Sequence, residues 1–369
     1  GGTEGIGEWG IMGSGNYSQA YSPSSYDPWS LNELGWITVN TLGGTREVVT
    51  GPRVLSDTIF LARTVSPNEY LLIENRQPIF SDTAMFNPTL PETALDGGPC
   101  RSRCPKTPGL LLWHIDTDLI AARRQSNRVN VGLVHGVAVI QADGLNNLRG
   151  PSATRNRGDR GDTYPGSSGK TRWSLTTTPA ARTHVQDYAG FVIDRIEQQA
   201  GAAMRFRIVE RKPSLFRSAV PGATILVNGL RSDRFEDVIA EGDPISLDVE
   251  EFQETIPGRS RARWLAWNIG GPKTQTLTSG AKPDTVIATF AREHRVRVVN
   301  AGGGNGSVTS SAGALTTGVF VTHAMPVTVA AEPGPGSIFT GWRGDTTESN
   351  PTVTLPMERP YDLEATFAP

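Results

Sequence analysis

Most of this chain reads as short apolar stretches broken by turn residues. Short runs rich in Val, Ile, Thr and aromatic residues are separated by Gly, Pro, Asn and Asp, the pattern of strands joined by turns. Glu69–Glu74, Gly109–Asp116 and Val134–Gln141 are predicted strands. The near-continuous apolar run from Leu110 to Trp113 predicts a strand covered on both faces. Phe191–Ile196 and Met204–Ile208 alternate around a Gly-containing turn and predict a closing hairpin. One short helix is predicted near the start. Asp27 is a good N-cap, Pro28 suits the first helical position and Gly35 stops the helix. Residues 150–172 are polar and rich in Arg, Gly and Asp, which predicts a loop.

The last third of the chain repeats itself. Pro244–Val249 aligns with Pro326–Ala331, Trp267 with Trp342, and Ala288-Thr-Phe290 with Ala365-Thr-Phe367. Three ordered matches at nearly constant spacing predict two small β-sandwiches, at 211–292 and 293–369, the first carrying an insertion around 252–262. Residues 211–222 hold two prolines and little pattern, so a boundary is placed after 210. Trp267 and Trp342 could stack on sugars, but equivalent placement in two repeats argues for core residues.

Composition narrows the function. A chain of 369 residues is long for one core. A net charge of -2 supplies no basic footprint, which argues against nucleic acid as a partner. No apolar run reaches the roughly 18 residues that suggest a membrane span. The two cysteines, Cys100 and Cys104, flank a short turn; a disulfide between them would suit an exported protein, with free thiols the alternative. There is no G-x-S-x-G nucleophile elbow and no G-x-x-x-x-G-K-S/T phosphate-binding loop.

Five blocks carry a family resemblance. Gly5-Ile6-Gly7-Glu8-Trp9-Gly10-Ile11-Met12-Gly13 with the Leu34-Gly35-Trp36 helix end comes first. Tyr70–Gln77, Gly109–Asp116, Ile140-Gln-Ala-Asp-Gly144 and Gly158–Gly166 follow in order. Together they resemble the immune inhibitor A-like secreted bacterial zinc metallopeptidases, a metzincin-type group. The resemblance covers roughly residues 3–210 and implies the C-terminal part of an α+β protease domain with a β-rich extension. The second repeat, with Phe339-Thr-Gly-Trp-Arg-Gly-Asp345, resembles internalin-B-type repeats of bacterial surface and secreted proteins. The fold class expected is therefore multidomain and predominantly β.

The resemblance implies zinc as cofactor, protein or peptide substrates and a secreted or surface location, with surface or matrix contact through the repeats. Such enzymes carry H-E-x-x-H just upstream of the Met-turn. None of the five histidines here forms that pair, so the zinc helix is expected before Gly1, and this chain alone is expected to be inactive. Met12 is the expected buried floor beneath the metal. Glu4 is the candidate third ligand, with a solvated loop acid as the plainer reading. His114 and Asp116 alternate on one strand face. With Glu74 and Asp143 they form a candidate polar cluster, either a metal site or, preferably, a strand-bracing network. Asp159 and Asp162 in a Gly-rich turn are calcium candidates. His135, His184, His294 and His323 are read as ordinary surface or core residues. The competing function is a non-catalytic surface or adhesion protein with a degenerate protease-like domain.

Overall fold

The computed structural model describes residues 3–18, 21–86, 100, 102–150 and 155–369. It comprises two units, Gly1–Pro213 with Glu236–Ala240, and Ser214–Phe235 with Glu241–Pro369. The first therefore extends past the boundary expected at 210. It also takes in 236–240, because Val238 and Ala240 join its apolar core and Asp237 pairs with Arg172 at 3.0 Å.

The first unit holds helices α1 (Pro28–Glu33) and α2 (Thr117–Arg123). Its strands are β1 (Thr38–Leu42), β2 (Arg46–Thr50), β3 (Thr58–Arg63), β4 (Glu69–Arg76), β5 (Gly109–Asp116), β6 (Val137–Val139), β7 (Tyr164–Pro165), β8 (Val192–Gln198) and β9 (Met204–Val209). Helix α1 starts where Asp27 Oδ1 accepts the Ser30 N–H at 2.9 Å, with Pro28 in the first turn. Gly35, at φ +68°, follows its end.

One sheet runs in the order β1-β3-β4-β5-β6, with β7 also pairing with β5. A second runs β2-β9-β8. Strand β5 is buried along its whole length, which explains its unbroken apolar run. Alternation then sorts its residues between two cores. Leu110 and Leu112 join Leu71, Ile73, Phe206 and Ile208 on one side. Leu111, Trp113 and Ile115 join Trp9, Leu72 and Phe86 on the other. The β4–β5 register sets Glu69 opposite Asp116 and Glu74 opposite Leu111.

The second unit contains β10 (Ser214–Ser218), β11 (Ile225–Val227), β12 (Leu230–Ser232), β13 (Arg234–Asp237), β14 (Pro244–Asp248), β15 (Phe252–Ile256), β16 (Ser260–Trp267) and β17 (Gln275–Thr278). It continues with β18 (Thr285–Gly302), β19 (Gly306–Ser310), β20 (Val319–Thr322), β21 (Val327–Pro333), β22 (Ile338–Gly344), β23 (Thr352–Leu355) and β24 (Tyr361–Ala368). Strand β13 straddles the division between the units.

Strand β18 gives the second unit its plan. Its first half pairs parallel with β10 and antiparallel with β16. Its second half pairs parallel with β24, which pairs antiparallel with β22. Opposing layers follow the same scheme, β11-β14-β17 in the first half and β19-β21-β23 in the second. The boundary expected at 292/293 lies inside β18, so one strand serves both halves. The insertion expected at 252–262 forms the β15–β16 hairpin.

The repeated residues occupy matching places. Trp267 stands opposite Ala288, and Trp342 opposite Ala365. Both indoles are buried, at 2% and 1% exposure, and neither offers a face for sugar stacking. Each indole N–H donates at 3.0 Å to a backbone carbonyl of the loop that follows, Lys273 O or Asn350 O.

Candidate functional site

The N-terminal residues form a tight glycine-rich turn. Gly7 has φ +58°, and a Cβ there would collide with the Arg157 carbonyl, so the position requires glycine. The Ser14 N–H closes the turn onto Gly7 O at 2.6 Å. Loops from further along the chain hold it: Glu4 N–H donates to Leu148 O at 3.0 Å and Glu8 N–H to Arg157 O at 2.7 Å.

Glu4 and Met12 line one pocket of about 380 Å³ together with Asp27, Trp29, Asn127 and Asn130. Met12 is 67% exposed, correcting the expectation of a buried side chain. The apolar side chains of this turn that reach the core are Ile6 and Trp9 instead. Glu4 is half-buried, with its carboxylate 3.4 Å from Arg155 Nε and 3.0 Å from Arg157 Nε. Glu8 is fully buried, against Lys106 Nζ at 2.8 Å and the Arg103 N–H at 2.7 Å.

Behind this turn the five sequence blocks meet. The Trp9 indole N–H donates to Asp162 Oδ2 at 2.6 Å. Gln141 Nε2 donates to Asp162 Oδ1 at 2.5 Å. Arg76 Nη1 donates to Trp9 O at 2.9 Å, and its Nε pairs with Asp82 at 2.7 Å. The Trp113 indole N–H donates to Glu74 Oε1 at 3.0 Å, and Glu74 also pairs with Arg53 at 2.9 Å. A buried network of this kind is tolerable only because each charge faces an opposite charge or a donor.

The expected cluster of Glu74, His114, Asp116 and Asp143 is not assembled. Glu74 projects to the Trp113 side of the sheet, whereas His114 and Asp116 alternate onto the other side. Asp143 lies elsewhere, accepting the Leu145 N–H at 2.9 Å. It lines a second pocket of about 420 Å³ with Asp159, Asn147, Asn156 and both cysteines, Cys100 and Cys104, which are joined with Cα atoms 5.6 Å apart.

The two calcium candidates are held by protein donors. Asp159 accepts from Asn147 Nδ2 at 2.9 Å, Asn156 Nδ2 at 2.5 Å and the Gly161 N–H at 2.7 Å. Asp162 is buried and accepts from Trp9, Gln141 and the Asp159 N–H. Burial, reinforced by the Asp159 charge, pushes its carboxyl up to about 7 against those donors. An ion at this turn would have to displace N–H groups.

His114 and Asp116 do share a polar cluster, with partners the sequence reading omitted. His114 Nε2 lies 2.7 Å from Glu69 Oε2. The same oxygen accepts the His184 backbone N–H at 2.9 Å. His184 Nδ1 lies 2.8 Å from Asp116 Oδ2, while Asp116 Oδ1 caps α2 at the Leu119 N–H. The two imidazoles sit 4.2 Å apart between centroids. Burial raises the Glu69 carboxyl, but the bonds from His114 and His184 outweigh it and bring it down to about 2. Burial, and then His114, lower His184. Glu69 was legible as an acid at a strand start directly opposite Asp116, once register is known. His184 carries no local signal.

The remaining histidines stay outside this cluster. His135 is buried, with burial and Arg149 lowering it to about 4. His294 and His323 face each other in the second unit, 3.0 Å apart.

Residues 296–369 match the family model described as a divergent InlB B-repeat domain. The matched segment starts within β18 and covers the second half of the repeated unit. No curated protein matches the chain. Among the described residues, no helix is long and apolar enough to cross a membrane.

Proposed function

We propose that the first unit is part of a secreted zinc metallopeptidase of the immune inhibitor A-like kind, and that the repeats are accessory surface-contact modules. The observation supporting this reading is the convergence of all five resembling blocks on the network behind the Gly5–Gly13 turn. Trp9 of the turn is held by Arg76 and Asp162, and Gln141 and Trp113 extend the network through Asp162 and Glu74, so four other segments brace one turn. Such support is what a site needs to hold geometry within fractions of an ångström.

In this reading the Glu4–Met12 pocket is the floor of a peptide-hydrolysing site. A zinc held there would supply an acidified water as nucleophile, and Glu4 is the residue of this chain that would hold it. This chain supplies at most one of its ligands, Glu4, and no histidine pair. Arg155 and Arg157 flank the Glu4 carboxylate at 3.4 and 3.0 Å. The B-repeat match fits an extracellular or cell-surface setting.

The alternative is a non-catalytic surface protein with a protease-like domain. The pairing of Glu4 with two arginines favours it, because it satisfies the carboxylate without a metal. Proteolysis of casein separates the two. The 369-residue chain is expected to be inactive. A longer protein that includes an upstream H-E-x-x-H is expected to be active and chelator-sensitive. Glu4→Ala in that protein should weaken zinc binding by more than roughly 100-fold, beyond the loss of a merely supporting group. Chelator-sensitive proteolysis by the 369-residue chain, or an inactive longer protein, would overturn the proposal.

A further inference from the structure

The Glu69–His114–His184 cluster takes no part in the peptidase reading. It draws on three separate segments, the start of β4, the end of β5 and the turn at 183–187. One ligand atom from each residue lies within 4.8 Å of the other two. Glu69 and His114 are buried, and the His184 side chain is 16% exposed.

Two further features distinguish it from a simple bracing network. Asp116 engages His184 Nδ1 at 2.8 Å. With Nδ1 donating to Asp116 Oδ2, Nε2 is the ring nitrogen that keeps the lone pair. That Nε2 is buried and has no hydrogen-bond partner among the described residues. Carboxylate–imidazole pairs of this kind orient histidines that bind metals. Glu69 is the second feature. Its Oε2 takes both N–H contacts, from His114 and from the His184 backbone, which leaves Oε1 as an unused donor atom among the described residues.

We propose that Glu69, His114 and His184 bind one divalent transition-metal ion of the Zn²⁺ class, with Asp116 as a positioning residue. Two imidazoles and one carboxylate suit zinc and its first-row neighbours; calcium and magnesium take oxygen ligands. His114 Nε2 lies 2.7 Å from Glu69 Oε2. An ion bonded at about 2.0–2.1 Å would take the place of that contact and needs its imidazole nitrogen and carboxylate oxygen about 3.3 Å apart, a separation that rotation of the two side chains supplies. The bound ion would clamp the 183–187 turn onto the ends of β4 and β5.

The test uses the whole 369-residue chain, stripped with a chelator and titrated with Zn²⁺, Co²⁺, Ca²⁺ and Mg²⁺ separately. The expected result is one Zn²⁺ or Co²⁺ per chain, visible Co²⁺ absorption of a four-coordinate site and a rise in Tm with Zn²⁺. Ca²⁺ and Mg²⁺ should do neither. His184→Ala and His114→Gln should abolish uptake. Asp116→Asn should weaken it by roughly 10–100-fold. Glu4→Ala should leave it unchanged, which separates this site from any catalytic zinc. Should a variant fail to fold, X-ray absorption of the zinc-loaded wild-type chain decides, and two imidazole ligands are expected. Absence of saturable uptake, uptake that persists in both folded histidine variants, or a coordination shell without imidazole would overturn the proposal.

Discussion

Both units have apolar cores, and they differ in how much charge is buried beside them. Around Trp342 the second unit packs Val296, Val298, Val329, Leu363 and Phe367, and the indole N–H reaches a backbone carbonyl. The first unit instead buries Glu8, Glu74, Arg76, Asp82, Lys106 and Asp162 within or beside its apolar clusters. Apolar packing is tolerant of exchange and is stabilised mainly by the area removed from water. Buried charge is weakly stabilising at best, since desolvation cancels most of the attraction. A fold that keeps it gains fixed geometry. The comparison therefore separates a repeat built for stability from a domain built around a positioned turn.

The largest expected effect tests the charged core. Arg76 is fully buried and bonds Glu74, Asp82 and Trp9 O. Arg76→Ala leaves two carboxylates buried with less compensation. It should cost the first unit about 3–5 kcal/mol, towards the upper end. Urea unfolding followed by a probe in that unit measures it. A loss below about 1 kcal/mol would mean that water reaches the network and that the turn is not rigidly held.

The apolar core should lose nearly as much by a different route. Trp342→Ala removes the largest side chain in its cluster and should cost about 3–5 kcal/mol. The lower end is expected, because Phe339 packs on the Trp342 ring at 5.4 Å and can move into the space. Trp267→Ala should behave alike, given its matching place opposite Ala288. A large difference between the two would mean that the halves share a topology but not an energetic plan.

The contrast in buried charge was not legible in the sequence, but much of the fold that carries it was, and the rest has a physical reason. Helix α1 announced itself because Asp27 and Pro28 act locally. The β4 and β5 strands were readable because burial on both faces leaves a continuous apolar run. The repeat register was readable because Trp and Ala-Thr-Phe are paired across strands in both halves. Side-chain alternation correctly grouped His114 with Asp116. It could not say which neighbours arrive from the next strand or from a distant turn. Glu69 is set opposite by the β4–β5 register, and His184 comes from the 183–187 turn. Glu74 was misassigned because the facing of one strand does not reveal that of its partner. Met12 was expected inside because a Met among glycines resembles a packed turn. Its side chain is instead 67% exposed, while Ile6 and Trp9 of the same turn fill the core.

The smallest expected effect sharpens the comparison through pH. Asp162 is completely buried, and burial, then Asp159, raise its pKa from 3.8 to about 7. The unfolded chain therefore loses this proton first as pH rises. Above about pH 4 the unfolded state is favoured progressively, and the trend ends near pH 7, where the folded carboxyl also ionises. The first unit should lose about 2–4 kcal/mol from this group across that interval. Among the described residues, the carboxyls raised above their ordinary value, Glu74, Asp143, Asp162 and Asp237, all belong to the first unit. Asp162→Asn removes the titration while keeping one oxygen to accept from Trp9 or Gln141. Its amide N–H groups then meet donors, so the variant is less stable at every pH. The slope is thus the informative quantity, not the level. Thermal unfolding at intervals from pH 4 to pH 7 should show a falling Tm for the first unit in the wild type and a flatter line in the variant. An unchanged slope would assign the pH dependence to another group and leave the three donors, Trp9, Gln141 and the Asp159 N–H, holding Asp162 charged throughout.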